Sequence, residues 1–514
     1  MRYRFDDGRG PGEAARGAGR MIWRALIVCG LLGVGLSGPA SAQTQSTQTQ
    51  DPAAEAREEV RSLDSGTRRL GGPDGALLAQ DCPPVSYADI LANPDNPALN
   101  ACYAVQQVER GDLTGAAATL ERVLLLRPAQ ADIRLLYAIV LYRLDTLEEA
   151  QAEFRAVQRL DLPPEDEARI ARYLDRIEKQ LQRTVQTVTV SFGGHYDTNR
   201  NAAPRGEEVE ALGTTFPLNQ ESSRAEDDTA VIGSATYNVR HDLGMQRENY
   251  ALGSFTYYQD EQTERDELDL QAVFADGGFA FDLPGAITLT PKAHYSNMRL
   301  SREKFYTSYG ATLRVDKQVR RPERAAPLDL WLEVGRTRES FRNVTENQTL
   351  IARDGMRTDG ALGLGLWLSP RHRLSFEGSQ SYKDAQQLHQ SYRFWRARIR
   401  HSWYLSDGAF LDSTASYGVR LYRAPDTTVT GTAAPRRRRE HPLRLRMTYG
   451  MPAGVLVDRL GYQVRGEATG AVRDFLEDVT ATATLEYLSQ QSNIRNYEYD
   501  NLRAQMLLTK RFEF

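Results

Sequence analysis

The chain has little cysteine, little excess charge and no long apolar run after its first forty residues. Its 514 residues include three cysteines, and the formal net charge is −4 at pH 7. This charge gives no indication of nucleic-acid binding. No apolar stretch long enough for a membrane-spanning helix follows the N-terminal segment, so none is expected in the mature protein. A transmembrane β-barrel escapes this test, because its strands alternate apolar and polar side chains.

The N-terminal segment is typical of an export signal. Arg24 precedes an apolar run over residues 25–36, and residues 40–42, Ala-Ser-Ala, form a small-residue cleavage site. Met21 is the expected start, because acidic residues precede it. Residues 1–42 are therefore interpreted as a signal peptide and residues 43–84 as a flexible linker, with composition that buries little surface.

Two cysteines, Cys82 and Cys102, remain after the predicted cleavage. An oxidising compartment favours a disulfide between them, and two unpaired thiols are the alternative.

Residues 85–184 form a predicted helical domain with an internal repeat. Four pairs of small or apolar residues recur 34 positions apart: Ala104 and Ala138, Ala116 and Ala150, Leu120 and Phe154, Val123 and Val157. This period, with small residues where paired helices touch, is the tetratricopeptide pattern, and an unrelated helical hairpin array is the alternative. Asn100 and Arg134 replace the leading tryptophan of that pattern. A third helix over residues 165–182 is expected to cap the stack.

A tetratricopeptide stack binds other proteins and does not catalyse reactions. The first helix of the second repeat offers Leu135, Ile139, Tyr142 and Arg143 as candidate client-binding residues. Two of these four positions are equally compatible with the core between repeats.

From residue 185 onward the hydrophobic period becomes two. Leucines at 328, 330 and 332 alternate with Asp329, Trp331 and Glu333, and similar segments recur around residues 287–296, 361–368 and 443–450. Segments of about ten residues with this alternation are the signature of transmembrane strands. About fifteen candidate strands can be marked. An even number is required when both ends of the barrel sequence face the periplasm, so fourteen are expected, with the surplus strand between residues 443 and 488.

The predicted connections differ in length at the two ends of the strands. Tight turns are expected at residues 282–285, 369–371 and 406–408, and long polar insertions at residues 197–228, 341–355 and 424–440. Short periplasmic turns and long outer loops are typical of an outer-membrane barrel. The fold class is thus a periplasmic α-helical stack followed by an antiparallel transmembrane β-barrel over residues 185–514, and a soluble β-sandwich is the alternative.

The last strand carries an aromatic pair at spacing two. Phe512 and Phe514 share a face with Leu502, Met506 and Leu508. A terminal Phe on a strand of this kind resembles the C-terminal signature of bacterial outer-membrane barrels. The pair is therefore interpreted as a barrel-assembly signal, read by the barrel-assembly machinery.

Residues 194–204, Gly-His-Tyr-Asp-Thr-Asn-Arg-Asn-Ala-Ala-Pro, together with the repeats and the terminal Phe, resemble the surface lipoprotein assembly modifier family. Thr198 stands where that family usually has Ser. The resemblance implies an outer-membrane protein that helps lipoproteins, or in some members soluble proteins, to reach the cell surface. It also implies an exported client as partner, with or without a periplasmic chaperone.

No pattern in the sequence indicates an enzyme. The seven histidines are scattered without metal-ligand spacing, and His195 near Ser191 and Asp197 is interpreted as part of a lumen wall. No cofactor is expected. Four arginines at 436–439 lie in a predicted outer loop, where they either meet lipopolysaccharide phosphates or remain solvated. A polysaccharide exporter and a passive porin remain alternative functions.

Overall fold

The computed structural model describes residues 82–160, 164–206, 208–217, 225–319, 328–344, 349–459, 475–476 and 478–514. The predicted signal peptide, the expected start at Met21 and nearly all of the predicted linker lie outside these residues. The chain divides into two compact units between Gln182 and Arg183.

Six helices form the described part of the helical unit, and capping residues mark where several of them begin and end. Asn96 starts the second helix by accepting a hydrogen bond from the Leu99 backbone N at 3.2 Å. Gly111 ends that helix with a φ of 86°, a left-handed conformation that glycine adopts at little cost. The helices are α1 (Tyr87–Ala92), α2 (Pro97–Arg110), α3 (Leu113–Leu126), α4 (Ala131–Arg143), α5 (Leu147–Gln158) and α6 (Pro164–Leu181).

The repeated residues form the core of this unit. All eight members of the four pairs spaced by 34 positions are fully buried in a single cluster. The alanines allow neighbouring helices to approach closely, and Phe154 stacks on Tyr173 of α6 at 4.8 Å between ring centres. Ile170 and Ile177 of α6 are also fully buried, so this helix covers the end of the core as the sequence predicts.

Polar residues take the place of the consensus tryptophan by forming hydrogen bonds. Asn100 is buried and donates its amide to the carbonyl oxygens of Pro94 and Asn96 at 2.9 and 2.8 Å. Arg134 pairs with Glu153 at 2.6 Å, which joins α4 to α5. The structure also pairs Cys82 with Cys102 in a disulfide, which links the segment before α1 to α2.

Fourteen antiparallel strands form a closed barrel in the second unit. A two-stranded hairpin, β2 (Glu208–Ala211) and β3 (Thr214–Pro217), lies within the first loop. The barrel strands are β1 (Thr184–Asp197), β4 (Asp228–Asp242), β5 (Tyr250–Gln262), β6 (Leu270–Leu283), β7 (Ile287–Leu300), β8 (Glu303–Val319), β9 (Leu328–Phe341), β10 (Gly355–Ser369), β11 (His372–Ala385), β12 (Tyr392–Tyr404), β13 (Phe410–Pro425), β14 (Arg437–Pro452), β15 (Val479–Ser492) and β16 (Tyr499–Glu513).

The period of two separates an apolar outer wall from a polar interior. On β16 the outward face carries Leu502, Met506 and Leu508, and Met506 is 71% exposed. The alternate residues, including Arg503, face the interior, where Arg503 meets Asp197 of β1. A continuous exposed apolar wall of this kind is suited to lipid rather than to water.

The barrel closes between its first and last strands. β1 pairs with β16 over eleven residues, from Thr187 opposite Glu513 to Asp197 opposite Arg503. Phe514 extends this pairing, since its backbone N donates to the Gln186 carbonyl at 2.9 Å. We call the end of the barrel at Asp197 the loop end and the end at Thr184 the terminal end.

The long predicted insertions all lie at the loop end, between β1 and β4, β9 and β10, and β13 and β14. Two of the connections at the terminal end are tight, at residues 284–286 and 370–371. The connection between β14 and β15 departs from this rule, because it spans residues 453–478 at the terminal end and begins with a helix, α7 (Ala453–Arg459). β14 and β15 are the only strands in the described part of residues 443–488, the range in which the sequence predicts one strand too many.

Among the described residues, no helix combines the length and the apolar character needed to cross a bilayer.

Candidate functional site

A short segment of the first loop folds into the loop end of the barrel. Residues 199–204 are all buried, although they follow a strand end in a long polar loop. Ala202 packs against Leu488 and Tyr499, two interior residues of β15 and β16. We call residues 198–204 the latch.

Asn199 holds the latch by using its whole amide group. Its Nδ2 donates to the carbonyl oxygens of Asp500 and Ala203 at 2.9 and 3.0 Å. Its Oδ1 accepts from the Ala203 backbone N at 2.8 Å, and its own backbone N donates to Asn501 Oδ1 at 3.1 Å. Asn199 thus both closes the turn and attaches it to β16, beside the backbone hydrogen bond from Thr198 N to the Leu502 carbonyl at 3.0 Å.

A buried charge cluster lies directly below the latch. Arg503 Nε contacts both carboxylate oxygens of Asp197, at 3.0 and 3.1 Å. His195 lies between two carboxylates, with Nδ1 at 2.8 Å from Asp197 and Nε2 at 3.0 Å from Asp260. Arg200 extends from the latch to Asp260, 3.4 Å away. Buried charges of this kind are tolerated only when they are paired and hydrogen-bonded.

Neutral side chains complete the cluster. Asp260 also accepts hydrogen bonds from Tyr258 at 3.2 Å and from Gln262 at 2.6 Å. Asn501 donates to Asp197 at 2.6 Å. Ser191, which the sequence places near His195, bonds instead to Thr509 at 2.9 Å. The cluster therefore positions the latch and does not form a nucleophilic triad.

The hairpin of the first loop fastens to two other loops at the same end. The backbone N of Glu210 donates a hydrogen bond to Asn496 Oδ1 at 2.7 Å. Asn496 Nδ2 donates in return to the Glu210 carbonyl oxygen at 2.8 Å. The backbone N of Leu212 donates to the Thr428 carbonyl at 2.9 Å. The hairpin and the latch thus connect the first loop to the β13–β14 and β15–β16 loops. Together these three loops form a cover at the loop end.

Below this cover the interior is lined by alternating charges, most of them paired across strands. Lys383 of β11 contacts Glu339 of β9 at 2.6 Å, and Arg373 contacts Asp329 at 3.0 Å. The balance shifts towards arginine along β12 and β14. We call this region the arginine wall, and its members are Arg396, Arg398, Arg400, Arg444 and Arg446. Glu377, Asp412 and Glu486 pair with these arginines.

The interior is polar and the only described cover at the loop end is made of loops, which can move without breaking the strand ladder. Among the described residues no group of three or more His, Cys, Asp or Glu side chains could hold a metal ion.

Two of the four candidate client-binding residues are not on a surface. Leu135 and Ile139 are 1% and 0% exposed and belong to the helical core, so they cannot line a groove. The helical period alone does not distinguish a concave face from the face between repeats. Tyr142 is partly buried and packs edge-on against Tyr173 at 5.1 Å, and the Arg143 guanidinium lies over the Tyr142 ring at 5.4 Å.

A basic face on α6 was not predicted from the sequence. Arg169, Arg172 and Arg176 lie one helical turn apart and, with Tyr173, line a small cavity of about 140 Å³. Arg172 and Arg176 are exposed. Their spacing of three and four residues places them on one face of a helix, so this face could have been predicted from the sequence.

The other singled-out residues lie at the two ends of the barrel. Phe512 faces outward on β16, and Phe514 is 63% exposed at the terminal end. Of the four arginines that the sequence places in an outer loop, only Arg436 lies outside a strand, because β14 begins at Arg437. Arg436 pairs with Glu210 of the hairpin, and Arg438 is buried against Glu440 at 3.2 Å. These two arginines therefore hold the cover together.

Comparison with known proteins separates the two units. A tetratricopeptide repeat family model matches residues 107–170, which lie within the helical unit. No curated protein matches the chain.

Comparison with solved structures gives bacterial proteins of low similarity. They include Pseudomonas aeruginosa OccK3 (13% identity, 64% of this chain, 96% of that chain, TM-score 0.28). The outer membrane protein OprD of the same organism gives 9% identity, 65% and 94% coverage, and a TM-score of 0.31. A bacterial polysaccharide outer membrane secretin gives 10% identity, 64% and 98% coverage, and a TM-score of 0.27. Sequence identities and TM-scores this low do not indicate the function of the present barrel.

Proposed function

We propose that this protein is an outer-membrane conduit that delivers protein clients, surface lipoproteins or secreted proteins, to the cell surface. The observation that carries the proposal is a closed barrel with a polar interior whose loop end is covered by its own first loop, in one chain with a tetratricopeptide-type unit. A passive porin needs no such unit. The resemblance to the surface lipoprotein assembly modifier family agrees with this combination.

The outer membrane is the proposed location because the outer wall is apolar around the barrel. The long loops lie at one end and both termini of the barrel sequence at the other. In outer-membrane barrels the end that carries both termini faces the periplasm. The helical unit, which precedes β1, is accordingly proposed to be periplasmic.

The helical unit is proposed to capture the client before transit. Its exposed arginines on α6 provide an electropositive face suited to an acidic segment of the client or of its chaperone. Tethering a client to the chain that also forms the conduit raises its local concentration and requires no energy source in this protein.

A polysaccharide exporter is the second candidate, because of the arginine wall. Guanidinium groups in a row suit the carboxylates or phosphates of an anionic polymer. The acidic partners Glu377, Asp412 and Glu486 offset much of this charge. The interior is therefore mixed rather than strongly basic, and this favours the protein client.

The proposal is tested by comparing surface proteins of wild-type and deletion strains by protease shaving and proteomics. We expect a small set of proteins to leave the surface and accumulate in the periplasm of the deletion strain. The double charge reversal Arg172→Glu/Arg176→Glu should reproduce this defect at least in part while the barrel still assembles. Arg110→Glu in α2, an exposed reversal outside this face, should leave delivery intact.

Two results would reject the protein-delivery proposal. An unchanged surface proteome with less extracellular polymer would identify a polysaccharide exporter. No change in either, with solute flux through the purified barrel, would identify a porin.

A further inference from the structure

The outer wall of the barrel carries an apolar groove across β9–β13. It has a volume of about 620 Å³, and its sides are formed by Leu332, Leu362, Trp395 and Tyr417. Its floor is low because Gly360 and Gly378 are adjacent outward positions with nothing within 4 Å of where a Cβ would stand. A trough of this kind on a lipid-facing wall accommodates an acyl chain.

Arginines stand directly above the groove, towards the loop end. In the strand register, Trp395, Gln380, Gly360 and Val334 form one outward row across β12, β11, β10 and β9. The next outward row towards the loop end is Arg393, Tyr382, Thr358 and Arg336. Rows two residues apart on a strand are separated by about 7 Å, which places the charges just beyond the apolar groove.

Tyr382 of this row lies beside two exposed arginines, Arg393 of the same row and Arg423 of β13. Arg393 and Arg423 both place their guanidinium groups 5.9 Å from the centre of the Tyr382 ring. Arg423 also donates to the Tyr382 hydroxyl at 2.9 Å and contacts Asp384 at 3.3 Å. No described carboxylate pairs with Arg336, Arg338 or Arg393, and all three are exposed.

From this juxtaposition we propose that the wall over β9–β13 is a binding site for a phosphorylated, acylated glycolipid of the outer leaflet. The exposed arginines bind its phosphates, and the groove holds one of its acyl chains. Guanidinium groups bind phosphate through two parallel hydrogen bonds, and the apolar groove contributes burial of the chain. Gln380 is a polar residue in the row of the groove nearest the arginines.

A lipid A type headgroup fits the charge pattern better than the acyl chains of a lipoprotein client. The client's lipid carries no phosphate, so it would use the groove and leave the arginines without a partner. The site rests on the proposed outer-membrane placement and not on the cargo, so it stands or fails independently of the delivery test.

Native mass spectrometry of the full chain, purified in detergent from outer membranes, tests the site. We expect wild-type protein to retain one diphosphorylated lipid A and to rebind it after delipidation. Arg336→Ala/Arg393→Ala should weaken rebinding by at least about tenfold, because two charge-assisted contacts are lost. Gly378→Leu should weaken it as well, because the side chain would fill the groove, and nothing lies within 4 Å of a Cβ at this position. Arg371→Ala, which removes an exposed arginine at the terminal end, should change nothing.

Other results would overturn the proposal. Equal retention by all variants would show that the lipid is held elsewhere. Loss only in Gly378→Leu, or equal binding of dephosphorylated lipid A, would reduce the site to an acyl groove without headgroup recognition. Equal binding of phosphatidylglycerol or of inorganic phosphate would show that the arginines attract anions without selecting the glycolipid.

Discussion

Replacing Asp197 with Ala is expected to release the latch from the loop end of the barrel. Asp197 is fully buried and pairs with Arg503. Its removal leaves Arg503, the buried Arg200 and His195 with one remaining carboxylate in the cluster, Asp260. Breaking one partner of a buried ion pair costs about 3–5 kcal/mol. The latch is attached by a few hydrogen bonds. Its detachment would expose Arg200 to solvent and so remove part of this cost.

Thiol labelling on intact cells measures the release. A cysteine at Ala203, which is 1% exposed, should react slowly with a membrane-impermeant maleimide in the otherwise wild-type protein. In the Asp197→Ala background we expect labelling to be faster by about a hundredfold or more, since about 1.4 kcal/mol corresponds to a factor of ten. Planar-bilayer recordings should show a higher mean conductance for the same variant.

Glu513→Ala is the matched control, because Glu513 also pairs with an arginine of β16, Arg511, but both side chains are about half exposed. Exposed pairs contribute little, so labelling at position 203 should not change. Equal labelling of the wild-type and Asp197→Ala backgrounds would show that the charge cluster does not hold the latch.

Replacing Gly193 with Val is expected to prevent proper closure of the barrel. Gly193 faces the interior on β1, opposite Leu507 of β16. A Cβ at this position would collide with the Met506 carbonyl oxygen and lie 2.9 Å from Leu507 Cα. These are backbone atoms of the closing strand pair, so they can yield only if β1 and β16 separate. We expect a loss of at least about 1–3 kcal/mol in the free energy of unfolding.

Gly233→Val on β4 is the control with the same change in strand propensity. Nothing lies within 4 Å of a Cβ at Gly233, which faces outward. Heat-modifiable mobility on denaturing gels and the amount of protein in the outer membrane should fall for Gly193→Val and stay near wild type for Gly233→Val. Equal behaviour of the two variants would show that the β1–β16 approach is not limiting for assembly.

Local periodicity was sufficient to predict the architecture. The pairs spaced by 34 residues are the buried contacts of the helical unit, and the alternation on β16 separates its lipid-facing wall from its interior. Both patterns depend only on helix and strand geometry, which repeats along the chain. About fifteen candidate strands could be marked in the sequence, and the requirement for an even number reduced them to the fourteen that the barrel has.

The details of the site could not be predicted, because they depend on contacts between distant residues. The latch is buried by Leu488 and Tyr499, almost 300 positions away, and nothing in residues 199–204 themselves indicates burial. The arginine row above the groove is formed by four strands and appears only when their register is known. The sequence left open which two of the four candidate positions on α4 belong to the core, since a helix in a stack has more than one apolar neighbour, and the structure assigns Leu135 and Ile139 to it.

Passage of a polypeptide through the interior of the barrel is tested most directly by photocrosslinking. A photoreactive amino acid replaces Ser416, an interior position on β13 opposite Arg398 and Arg444. The same amino acid at Ala415, the neighbouring outward position, is the control. We expect position 416 to yield adducts with the proteins that depend on this chain for surface delivery, and position 415 to yield none. Carbohydrate adducts at 416, or protein adducts at neither position, would contradict transit of a protein through the barrel.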